Sequence, residues 1–266
     1  MSDREERQYG VDDEAAVRAL RAAAERGDLA AVELLAQRLG EAGERAEAER
    51  WLRRAAELGS VAALGRLGES AWQDGRVAEA MEWLEQAAYA GLTSAEYQLG
   101  AIHLERGNLD AAEPWLLRAA EAGLPEAMCN LGALADRRGE DERAEQWYER
   151  ATLAGNATGM RNLGLRYARR GEIARATELL VEATRRGRTD AYAVLGAVCL
   201  ERDRAEDAER WLRRGAEVGD AESMFHLSQF LDAEPTTPAA QAESREWLER
   251  SAALGHPRAL DLLHGM

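Results

Sequence analysis

The chain has 266 residues, 46% of them hydrophobic and only 6% aromatic, with a formal net charge of −15 at pH 7. That acidity argues against general nucleic-acid binding, because neutralising phosphates needs a basic face. All 34 basic residues are Arg, which excludes a Walker-type phosphate loop and a lysine Schiff base and fits the Arg-rich codon usage of a GC-rich bacterial genome.

Residues 1–11 are charged and without periodicity, and are expected to be a disordered lead. They are followed by no apolar h-region, and the longest apolar run, Ala191 to Leu200, is ten residues. That is far short of the ~20 needed to span a bilayer, so a cytoplasmic, membrane-free location is expected. Asp12 or Asp13 can cap the first helix with a carboxylate at its positive end.

From residue 12 to 266 one pattern governs a single expected domain. Ala19, Trp51, Trp83, Trp115, Trp147, Leu179 and Trp211 are 32 residues apart at each step, and Trp247 follows after 36. Eight residues beyond each of these positions stands a glycine, from Gly27 to Gly255. Within a period, Ala112, Trp115, Leu116, Ala119 and Ala120 form the apolar stripe of a helix with one buried face. Gly123 suits the left-handed residue that closes such a helix. A second stripe, Ala127, Met128, Leu131, Gly132 and Ala135, ends near Gly139. Gly132 and its equivalents Gly68, Gly100, Gly164 and Gly196 each cost roughly 1 kcal/mol in a helix interior, which implies a close helix crossing. A lone hairpin cannot bury both faces, so the units must stack. The predicted fold is all-α, an α-solenoid of about eight 32-residue helical hairpins wound as a right-handed superhelix.

Trp-type helices are expected at about 13–26, 45–58, 77–90, 109–122, 141–154, 173–186, 205–218 and 239–254. Helices carrying the Leu-Gly pair (LG-type helices) are expected between and after them, among them 124–138, 156–170 and 188–202. Leu179 in place of Trp, and Asp203 in place of a turn glycine, predict looser packing in the sixth unit. Two prolines in LDAEPTTPAAQ predict a lengthened loop at 233–240. At the far end, Leu260 and Leu263 are expected to be partly uncovered.

The runs WLEQAAYAG, WLLRAAEAG and WLRRAAELG, with NLG at Asn130 to Gly132 and again at Asn162 to Gly164, resemble Sel-one-like repeats. The short turns at Gly75 to Ala80 and Gly107 to Ala112 resemble those within tetratricopeptide repeats instead. The resemblance runs over about residues 13 to 264 and implies that LG-type helices line a concave groove. On that layout a ligand would meet Tyr97, Asn130, Arg137, Arg161, Asn162, Leu165 and Arg169.

No catalytic, metal or cofactor motif stands out. The four histidines form no H-E-x-x-H pair, and Cys129 and Cys199 show no ligand spacing. Between Asn156 and Asp190 eight Arg face four carboxylates, which is either a solvated Arg-Glu surface or a stretch where Arg forks bind anions. The expected function is a non-enzymatic scaffold that holds a protein or peptide partner, with an acidic segment fitting best. The alternative is a regulatory or accessory subunit that self-associates through an uncovered solenoid end.

Overall fold

A computed structural model describes residues 17–233 and 237–264. The expected lead at 1–11, the Asp12/Asp13 cap and positions 234–236 of the expected loop lie outside the described residues. Of the rest of that loop, Ala233 closes one helix and Pro238 opens the next.

Sixteen helices are described, and no strand among the described residues. They are α1 (17–25), α2 (Leu29–Glu41), α3 (Arg45–Glu57), α4 (Val61–Gln73), α5 (Val77–Tyr89), α6 (Thr93–Glu105) and α7 (Leu109–Glu121). After them come α8 (Pro125–Arg138), α9 (Asp141–Leu153), α10 (Ala157–Arg169), α11 (Ile173–Arg185) and α12 (Ala191–Leu200). The last four are α13 (Ala205–Glu217), α14 (Ala221–Ala233), α15 (Pro238–Ala253) and α16 (Pro257–His264). Helices α4, α6, α10, α12 and α14 each pack most closely on the Trp-type helix that follows. The fold is therefore a helical-repeat solenoid of the predicted class. Its contacts divide into two compact units, 1–127 and 128–266, with the division inside α8.

The interior glycines mark the crossings inside each hairpin. A Cβ at Gly68, Gly100 or Gly196 would lie 2.6 Å from a Leu side chain sixteen residues on, and one at Gly132 would lie 2.5 Å from the Tyr148 ring. The residue that fills the core is the one after the repeat tryptophan. Leu84, Leu116, Leu180 and Leu212 are fully buried, whereas Trp83, Trp115 and Trp211 are only half-buried. These rings reach backwards instead: Trp83 packs on the cluster of Leu52 and Leu67, and Trp115 on that of Leu84 and Ala87. Their outer faces are covered by arginine, as with Arg118 at 5.2 Å from the Trp115 ring centroid. Trp147 is the exception, buried beside Tyr148.

LG-type helices start at a recurring cap. Asp28, Ser60, Asn156 and Asp220 each accept a hydrogen bond from the backbone N–H three residues on, which satisfies one donor of the first turn. Arg188 occupies that place in the sixth unit and has no acceptor to offer. Leu92 offers none either, and α6 still has 13 residues; helix α12 begins late, after a turn at 189–190, and has 10 residues where α10 and α14 have 13. Its exit turn is carried by Asp203 at φ 55, where the five preceding units carry glycine, such as Gly107 at φ 77. Replacing Asp203 by Gly should raise stability by roughly 1 kcal/mol, since only glycine enters this region without steric cost. Thermal unfolding of the full chain measures the gain.

Candidate functional site

Helix α10 carries the core of the predicted site. Met160, Leu163, Gly164 and Tyr167 face inward, which leaves Arg161, Leu165 and Arg169 on an adjoining stripe four residues apart. Arg161 and Leu165 are half-buried and Arg169 is exposed. The Arg161 Nη1 donates to Asn162 Oδ1 at 3.2 Å, and its Nε lies 3.5 Å from Asp190 Oδ2. Asp190 also meets Arg188 at 2.8 Å, so two guanidiniums share one carboxylate. The Asn162 Nδ2 lies 4.0 Å from Cys129 Sγ, which ties α10 to α8. Asn130 is half-buried on α8, and Arg137 is exposed in its last turn and already engaged within the chain. Tyr97 lies on α6 in the first unit, also with a partner. Six of the seven predicted residues thus belong to α8 and α10 in the second unit, and Tyr97 does not.

The arginine-rich stretch is largely neutralised inside the protein. Arg166 reaches Asp136 at 2.6 Å and Asp141 at 2.8 Å, and Arg170 reaches Glu145 at 2.6 Å. Arg175 meets Glu172, Arg185 and Arg186 meet Glu182, and Arg188 meets Asp190. Seven of its eight arginines, Arg161 included, therefore have a carboxylate within 3.6 Å. Exposed pairs of this kind contribute about 0–1 kcal/mol each, so they shape the surface more than they stabilise it. Arg169 alone makes no side-chain hydrogen bond or ion pair among the described residues; it borders a cleft of about 260 Å³ with Asp141, Glu142, Glu145, Arg166 and Arg170.

Two features lay outside the sequence prediction. The Tyr148 hydroxyl donates to Asp136 Oδ2 at 2.7 Å, and burial, followed by that carboxylate, pushes the phenol well above its usual range. Arginine three residues after the repeat tryptophan stacks over its ring, as Arg150 does on Trp147 at 4.3 Å and Arg250 on Trp247 at 4.4 Å. The recurring Trp-x-x-Arg spacing was the available signal for these pairs. Cys129 and Cys199 are both buried and form no disulfide, and burial raises the pKa of the Cys199 thiol. No helix among the described residues is long and apolar enough to cross a membrane.

Two family models described as tetratricopeptide repeat match the chain, one over residues 157–189 and the other over 61–86, 94–118 and 185–214. Among solved structures it is similar to a protective antigen of uropathogenic Escherichia coli displaying an SLR fold, with 26% identity and a TM-score of 0.67. That likeness covers 90% of this chain but spans only 57% of the antigen's length. It is similar also to a Sel1 repeat protein from Oxalobacter formigenes, with 24% identity, a TM-score of 0.67, and coverage of 83% of this chain and 96% of that one. PilF of Pseudomonas aeruginosa shares the fold at 22% identity and a TM-score of 0.53, covering 63% of this chain and 79% of its own. No curated protein matches the chain.

Proposed function

We propose that this chain, a Sel-one-like and tetratricopeptide-like repeat protein, is a non-enzymatic scaffold that holds a peptide segment or partner protein on the face of its LG-type helices. The observation that carries this reading is the stripe on α10, where Leu165 stands between Arg161 and Arg169 and Arg169 has no partner among the described residues. An apolar contact flanked by two guanidinium forks fits an acidic or carboxylate-terminated peptide. Asn130 and Asn162 on the neighbouring turns supply amides that can bond an extended backbone. Hydrogen bonds to charged groups contribute about 1.5–3 kcal/mol each. Arg161 is already shared with Asp190, so Arg169 should carry the larger part.

The Arg161→Ala/Arg169→Ala protein should keep its helical spectrum and melting temperature while losing at least about tenfold in affinity for a fluorescently labelled acidic peptide, a loss of roughly 1.4 kcal/mol or more. Unchanged affinity would remove the α10 stripe from the function. Self-association through α16 is the second reading, supported by Leu262 at 42% exposure beside the partly buried Leu260 and Leu263. Light scattering over a concentration series separates the two, because only the second requires mass to rise with concentration.

A further inference from the structure

We propose that the first unit holds a separate slot, shaped for one aromatic side chain that is flanked by carboxylates on a protein partner. The template for it is the next repeat. Trp72 on α4 packs on a cluster that includes Leu84 and Ile102. One period earlier, Gly40 stands in the place of Trp72, with Leu52 and Ser70 in the places of Leu84 and Ile102. Nothing fills the volume of the missing indole: Gly40, Leu52 and Ser70 line an open cleft of about 520 Å³.

Gly40 has no conformational reason to be glycine. It lies inside α2 without positive φ, and a Cβ there would meet nothing nearer than the Arg66 guanidinium at 4.0 Å. Gly68, by contrast, is pressed to 2.6 Å by Leu84. The charge at the rim points to the ligand. Arg45 and Arg66 border the cleft, and neither makes an ion pair or side-chain hydrogen bond among the described residues. The carboxylates around it are occupied: Glu49 by Arg53 and Arg76, Asp74 by Arg76, while Glu69 accepts from Gln73. Gln73 is neutral and leaves the Glu69 charge in place, so two guanidiniums against one carboxylate face the slot without an ionic partner, and that excess favours an acidic neighbour on the incoming residue. Arg53, at 5.6 Å over the Trp83 ring, shows how this chain covers an indole with a guanidinium.

The inference rests on the scaffold reading but uses no residue of α8 or α10. The test is binding of the peptide acetyl-Glu-Trp-Glu-amide to the full chain by calorimetry, beside acetyl-Gln-Trp-Gln-amide and acetyl-Glu-Ala-Glu-amide. The first should bind saturably and the other two at least tenfold more weakly. Gly40→Trp fills the slot from within and should abolish binding with the melting temperature kept or raised; Gly40→Leu gives the same readout with a smaller side chain. Arg45→Gln/Arg66→Gln should cost at least tenfold. Absence of saturable binding, full binding to Gly40→Trp and Gly40→Leu, or equal binding of the alanine peptide each overturns the slot. The Arg161→Ala/Arg169→Ala protein should bind this peptide as wild type does, so either site can fail without the other.

Discussion

Leu116→Ala should destabilise the protein by about 3–5 kcal/mol, the range for truncating a fully buried leucine that its surroundings cannot collapse around. Leu116 is 0% exposed and is pressed against Gly100 across the α6–α7 crossing. Because that crossing is set by backbone proximity, the helices cannot close further to fill the cavity. Its neighbour Trp115 is the larger side chain and the more obvious feature of the sequence, yet Trp115→Ala should cost less, about 1–3 kcal/mol. The ring is half-buried, with Arg118 over it and Tyr89 at 5.5 Å, edge to face. Truncation removes contacts at a junction between repeats and leaves a surface hollow that water can enter, without the penalty of an empty cavity. Urea unfolding of both variants decides the order; a larger loss at Trp115 would place the core on the wrong residue.

A single methyl group should act in opposite directions at two helical glycines. Gly100→Ala gains about 1 kcal/mol from helix propensity, but its Cβ would lie 2.6 Å from the Leu116 side chain and 3.2 Å from the Leu116 backbone nitrogen. Backbone cannot retreat as a side-chain tip can, and overpacking of this kind costs typically 1–3 kcal/mol. The net effect should be destabilising, and Gly100→Val should be clearly worse. Gly40→Ala meets open space, with Arg66 4.0 Å away, and should stabilise by roughly 0.5–1 kcal/mol. Melting temperatures that shift the same way in both proteins would show that the α6–α7 crossing is not controlled by Gly100.

The periodicity of Trp, Leu and Gly made the hairpins legible, because a glycine that weakens a helix at every turn of the repeat has few uses besides close packing. The order of burial was not legible, since Trp115 and Leu116 are adjacent and apolar and share the edge of one helical stripe. Only the preceding repeat, packed alongside, shows that the indole faces a junction while the leucine faces the core. The pairing of the arginine stretch was hidden for a similar reason. Its excess charge was counted between Asn156 and Asp190, but Asp136, Asp141 and Glu145, which balance it, come 25 to 30 residues earlier in sequence. The late start of α12 had no visible signal: Leu92, at the place of Arg188, offers no acceptor either, yet α6 begins on time with 13 residues. The predicted residues on α8 and α10 were brought into one unit because NLG recurs one period apart; Tyr97 had only the shared column to recommend it.

The backward reach of the indoles has an optical consequence. Trp83 and Trp115 each rest on the cluster of the hairpin before them, and Trp211 and Trp247 do the same in the second unit. Each is thus a native fluorophore stationed at one joint, quenched or shifted when that joint admits water and indifferent to events two repeats away. Variants that retain one indole at a time would report the order in which the joints open along the chain. Trp211, 6.1 Å from Tyr192, already watches the short helix α12; the joint beneath Leu179 is dark, and a tryptophan placed there would complete the series.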